Sequence, residues 1–257
     1  MDRSFLSKPE VIAASRQFVC VRLATYEDED ENKFLKTFNV GRGGEVENSV
    51  FCILGPDGKQ RLCRAARGIG QVFSDSNQMA AAMDKIATTI KPKVEPKSLP
   101  LTANVRLAID IASSDNQPLV IVVAKDTKQR ESLEAKLAAV AWSQPFIGRA
   151  IYASTSHPDE LVGVNGVTLD SGIVMVQADQ FGLKANMLKQ IPASASDDKL
   201  TESLRLGMLS FESQAKTFRS HVQEGHKQGI FWETKLPVTD IQEKSARERG
   251  RQKAPPQ

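Results

Sequence analysis

The chain has 257 residues, 40% of them hydrophobic and 25% charged, with a formal net charge of +3. That length suits two domains of ordinary size or one large one, and that composition is able to build cores. No run approaches the roughly 18 apolar residues that a membrane-spanning helix needs, and the opening Met1–Leu6 has no apolar signal region.

In chain order, residues 3–17 read as a short helix, with Ser7 as cap, Pro9 in the first turn and Glu10 three residues after the cap. Residues 18–24 read as a strand carrying Cys20. An acidic loop, Glu27–Glu31, leads to a helix over 31–38 with Phe34, Leu35 and Phe38 on one side. Gly41-Arg42-Gly43-Gly44 is a flexible connection that precedes a strand and not a helix, which argues against a phosphate loop. Residues 49–54 and 60–64 read as a hairpin about the turn Gly55-Pro56-Asp57-Gly58-Lys59. Residues 74–90 form a helix whose Met79, Met83, Ile86 and Ile90 recur at spacings of three and four and serve as core filler.

Residues 91–116 form a Pro/Lys linker with room for a short helix over 102–112, and this is the predicted domain boundary. The run after Pro118, through Val123, reads as a central strand buried on both faces. A helix over 127–142, a strand over 147–153, a helical turn over 158–163, strands over 172–177 and 183–190, and a helix over 197–210 complete a β-α-β-(α)-β-β-α unit. Residues 211–240 form an extension with an amphipathic helix (Phe211, Ala215, Phe218, Val222) and an apolar knot, Gln228–Trp232, read as covering the second unit's core. The tail, 241–257, holds five basic residues against two acidic ones, which equals the net charge of the whole chain. It carries no aromatic residue to stack on bases, so it reads as solvated and not as a nucleic-acid site.

The segments Ser7-Lys8-Pro9-Glu10-Val11-Ile12, Phe18-Val19-Cys20-Val21 and Phe51-Cys52-Ile53-Leu54, with the hairpin turn after them, resemble thioredoxin-family proteins over residues 2–90. Residues 117–210 resemble the family by element order and strand character. The resemblance implies an α/β fold of tandem thioredoxin-like domains, at 1–90 and 117–210, the first lacking its initial strand and Cys-x-x-Cys. The family's cis-proline corresponds to Ser49, preceded by Asn48, in the first unit, and to Ser171 or Gly172 in the second. The second unit's strand-to-helix junction, Ala124-Lys125-Asp126-Thr127, has no cysteine.

A redox dithiol works because a helix N-terminus lowers one thiol's pKa while the second resolves the mixed disulfide. Cys20, Cys52 and Cys63 are solitary, and their simplest reading is as small hydrophobes. Burial of Cys20 and Cys52 among apolar residues would raise their pKa. The family layout makes the strands of Cys20 and Cys52 neighbours. Cys63, beside Arg61 and Arg64, is the first choice for a reactive thiol. His157, His221 and His226 lack metal-ligand spacing, and no Gly-x-Ser-x-Gly elbow is present. The expected role is a non-catalytic thioredoxin-like protein that holds a protein partner, with no cofactor, no metal and no membrane span. The alternative is a thiol-disulfide oxidoreductase whose Cys-x-x-Cys segment lies outside this sequence. The corresponding location is cytoplasmic, or secreted or periplasmic if an upstream segment is missing. Oligomeric state is left open.

Overall fold

The computed structural model describes residues 4–38, 46, 50–90, 98–214, 217–231, 233–241, 244, 245 and 248. The Gly41–Gly44 connection, Asn48 and Ser49, the prolines at 92 and 96, Ala215, Trp232 and most of the basic tail lie outside the described residues. The elements are α1 (Pro9–Ser15), α2 (Glu29–Lys36), α3 (Ser76–Thr89), α4 (Val105–Asp115), β1 (Leu119–Val123), α5 (Thr127–Ala141), β2 (Ile151–Thr155), β3 (Val164–Asn165), β4 (Gly172–Ala178), β5 (Ala185–Pro192), α6 (Asp197–Leu209) and α7 (Phe218–Lys227). The architecture is mixed α/β, and it divides into two compact units. Unit 1 comprises Met1–Lys93 together with Thr217–Gln257; unit 2 is the continuous span Val94–Lys216.

Unit 2 is built on a five-stranded sheet in the order β2-β1-β4-β5-β3. β1 and β2 run parallel, while β4 is antiparallel to both β1 and β5. All five residues of β1 are buried, as the unbroken apolar run after Pro118 predicts. Their alternation feeds two cores. Val120 and Val122 face Leu133 and Leu137 of α5 and Leu200 and Leu204 of α6. Leu119, Ile121 and Val123 face Val105, Ala108, Ile109 and Ala112 of α4. The sheet is therefore sandwiched between helices, and each fully buried Val, Leu or Ile contributes on the order of 1.5–3 kcal/mol. The short helix expected over 102–112 falls at Val105–Asp115 and, with the linker assigned to it, belongs to unit 2, where it packs on β1, β2 and β4.

Unit 1 departs further from expectation. Residues 18–24 join no strand ladder among the described residues, and Val19 and Val21 are 59% and 69% exposed. An apolar run becomes a strand only where a neighbour supplies the other half of its hydrogen bonds, and here none is described. The expected hairpin exists in reduced form, as isolated bridges Leu54↔Arg61 and Phe51↔Ala66. Its turn is held by Asp57 Oδ1, which accepts from the Lys59 and Gln60 amides at 2.9 Å each. Phe51 and Ile53 pack with Phe73, Met79 and Met83 into the core of the unit, beside α1 and α3. Helix α1 starts with Pro9 at its first turn, but its cap residue is Lys8, which makes no side-chain cap bond. Glu10 accepts a hydrogen bond from Ser76 at the start of α3.

The expected helix over residues 211–222 is divided. The backbone at Glu212 is held open by two bonds to Gln177 (2.9 and 3.2 Å), and Gln214 N donates to Asn116 Oδ1 at 2.9 Å, all within unit 2. The helix starts later, after the Thr217 cap, and belongs to unit 1. The knot at 228–232 begins as this helix's terminus. Ile230 N donates to Gly225 O at 2.8 Å and Gly229 N to His226 O at 3.1 Å. With Gly229 at φ +70°, this is a Schellman cap. Instead of covering unit 2, the segment after it docks into unit 1. Leu236 N donates to Tyr26 O at 2.8 Å, Thr239 Oγ1 to Val46 O at 2.9 Å, and Asp240 N to Tyr26 Oη at 3.1 Å. Asp240, whose side chain is 2% exposed, pairs with Arg67 Nη2 at 3.2 Å.

Candidate functional site

In an open α/β sheet, ligands gather outside the carboxyl ends of the strands. In unit 2 that edge is formed by the junction after β1, the end of β2 and the loop before β4. Val123 at the end of β1 is in register with both Thr155 and Gly172. The junction opens α5 through its cap: Asp126 Oδ1 accepts from Gln129 N at 2.8 Å, and Gln129 Oε1 accepts from Lys125 N at 2.9 Å. These bonds satisfy amides that the helix itself leaves open. Lys125 Nζ reaches across to Asp170 Oδ2 at 3.7 Å, linking the two loops with an exposed ion pair. At the end of β2, the Ser156 hydroxyl is buried without a hydrogen-bond partner among the described residues.

Gly172 ends this edge under tight constraint. Its φ is +147°, and a Cβ placed there would stand 2.1 Å from the Ile191 carbonyl oxygen. Only glycine fits where β5 lies against the backbone so closely. The β1 edge thus offers a lysine, a carboxylate, a hydroxyl and helix-capping groups, and no thiol.

The three cysteines all lie in unit 1 and are free thiols. Cys20 is an exposed residue whose sulfur donates to Ser15 O at 3.9 Å; desolvation around that sulfur pushes the thiol up. The expected neighbourhood of Cys20 and Cys52 has no ladder to carry it, because residues 18–24 join no sheet among the described residues. The hairpin brings together a different pair. Gly55 N donates to Gln60 O and Leu62 N to Ile53 O, both at 2.8 Å, which places Cys52 across from Cys63. Cys52 Sγ lies 3.6 Å from Cys63 O, and Ile53 N donates to Cys63 Sγ at 3.1 Å. Burial, and then the neighbouring Cys63, pushes the Cys52 thiol up to about 11. The arginines beside Cys63 bond elsewhere: Arg61 Nη2 donates to Thr37 O at 3.1 Å and Arg64 Nη2 to Gln71 O at 3.0 Å. The juxtaposition of Cys52 and Cys63 was available from the turn, since Gly55–Gly58 sets a register in which residues 52 and 63 face each other.

His157 precedes the turn at Pro158–Leu161, and the His226 ring stacks on Phe231 with centroids 5.0 Å apart. Among the described residues no group of three or more His, Cys, Asp or Glu is arranged to hold a metal, and no helix is long and apolar enough to cross a membrane. A cleft of about 570 Å³ at the opposite end of the sheet is lined by Gln177, Asp179, Asn186 and Glu212 among others. These groups hold the cleft's own walls: Gln177 bonds to the Glu212 backbone, and Asp179 accepts from the amides of Phe181, Leu183 and Lys184.

No protein-family model matches the chain, and no curated protein matches it.

Proposed function

We propose that the chain is a thioredoxin-like protein that holds a protein partner and does not catalyse disulfide exchange in other proteins. The observation that carries this reading is the β1–α5 junction. There a strand delivers its carboxyl end to a helix N-terminus, the setting that lowers a thiol's pKa, yet the residues are Lys125, Asp126 and Thr127. An ion pair and a helix cap occupy the place where redox chemistry would need a nucleophile. The order β-α-β-β-β-α in one sheet supports the family reading for unit 2. For unit 1 the reading rests on the residue resemblance alone.

The test is insulin reduction with dithiothreitol as donor. The expected outcome is precipitation no faster with the chain than with dithiothreitol alone. Acceleration that disappears on Cys63→Ser would establish the oxidoreductase instead. For the interaction role, a photo-crosslinking residue is placed at position 125 or at position 199, on α6. Discrete adducts in an extract are expected from 125 only, and equal labelling from both removes the junction as the contact surface.

A further inference from the structure

The hairpin of unit 1 contains an irregularity that its short turn does not require. Gly55/Gln60 and Ile53/Leu62 are paired through backbone bonds, and the next paired residues are Phe51 and Ala66, which exchange bonds of 2.7 and 3.1 Å. Between those pairs one arm has a single residue, Cys52, and the other has three: Cys63, Arg64 and Ala65. This is a bulge of two extra residues, and a cysteine stands at its mouth on each arm. The Ile53 amide, which a regular ladder would direct at the Leu62 carbonyl, donates instead to Cys63 Sγ. The Cys52 thiol is directed at the carbonyl of Cys63. Cys52 and Cys63 are the first residues beyond the last regular pair on each arm, with Cys63 Sγ 3.1 Å from the amide that follows Cys52 and Cys52 Sγ 3.6 Å from the Cys63 carbonyl.

We propose that Cys52 and Cys63 form an oxidation site that closes as an intramolecular disulfide when it meets a low-molecular-weight disulfide. The inference rests on the hairpin and is independent of the thioredoxin-like reading. The first protein thiol loses its proton to solvent, and its sulfur attacks one sulfur of the oxidant. A mixed disulfide forms, and one small thiolate leaves and is protonated. The second protein thiol, deprotonated in turn, attacks the protein-side sulfur, forms the Cys52–Cys63 bond and expels the second small thiolate. Two electrons pass from the protein pair to the oxidant, which ends as two small thiols. Both cysteines are partly buried, and Cys63 packs against the core of unit 1, so closure fastens the two arms over Phe51, Ile53 and Phe73. Cys20 lies outside the hairpin and takes no part.

The full chain is incubated with oxidised glutathione, alkylated and digested with trypsin. Cleavage at Lys59 and Arg61 separates the two sites, leaving Cys52 in residues 43–59 and Cys63 in residues 62–64. The expected result is the loss of two of the three alkylatable thiols, with a cross-linked pair of those peptides that dithiothreitol dissolves. Closure is also expected to raise the melting temperature of unit 1 by on the order of 5 °C. Cys20→Ser should leave the cross-link unchanged. The proposal is overturned if all three thiols stay alkylatable, if each hairpin cysteine carries glutathione without a cross-link, or if the cross-link includes Cys20.

Discussion

Unit 2 and unit 1 contain apolar runs of similar appearance that meet opposite fates. Leu119–Val123 is buried at every position, between β2 on one side and β4 on the other. Phe18–Leu23 is apolar at all but one position, yet leaves Val19 and Val21 open to solvent. The difference lies in the chain immediately downstream of each run. After β1 come a capped helix and a parallel strand within 32 residues of Val123, so the partners are local and assemble a βαβ unit. The run in unit 1 leads into an acidic helix and a bulged hairpin. The long-range bonds of this unit come from Leu236–Asp240, far along the chain. A buried sheet in one unit and a set of long-range clamps in the other are two ways to hold a core of moderate size.

Substitutions that strike one unit and spare the other test this contrast, with hydrogen exchange resolved by peptide to report each separately. The largest effect is expected at Gly172. Gly172→Ala sets a methyl against the Ile191 carbonyl at an unfavourable φ and should cost unit 2 about 4 kcal/mol. Unchanged exchange in β4 and β5 would show that the sheet edge yields freely. Next comes Asp240→Asn, which removes the buried charge that pairs with Arg67. Because the Arg67 side chain is 37% exposed, the expected loss is about 2 kcal/mol, and it should fall on unit 1 alone. Equal loss in both units would mean that the two unfold as one body. The smallest effect concerns Ser156→Ala. Removing a buried hydroxyl that has no partner among the described residues should stabilise unit 2 by about 1 kcal/mol. A loss of stability there would mean that the hydroxyl bonds to an ordered water.

How much of this was legible depended on how far apart the interacting residues lie. The elements of unit 2 arise from local signals: Pro118 before an apolar run, Asp126 and Gln129 at a helix start, and Asp179 in the turn between β4 and β5. Strand β2 falls at Ile151–Thr155 where 147–153 was expected, because residues 143–149 turn through bonds such as Ile147 N to Ser143 O. Helix α4 was underestimated because its apolar face, Val105, Ala108, Ile109 and Ala112, is read correctly only once a sheet is there to receive it. In unit 1 the decisive contacts join Tyr26 and Arg67 to Asp240, and no periodicity carries such pairings. Among the candidate thiols, the facing of Cys52 and Cys63 was implicit in the hairpin turn, whereas the expected Cys20–Cys52 neighbourhood presupposed a sheet.

The discontinuity of unit 1 also sets a timetable for synthesis. The bond from the Asp240 amide to the Tyr26 hydroxyl spans 214 residues. At about 5–20 residues per second, Tyr26 leaves the ribosome on the order of 10–40 s before its partner is made. All of unit 2 emerges within that interval and is free to fold first. For that time Tyr26 and Arg67 wait in a nascent segment that Asp240 has not yet joined.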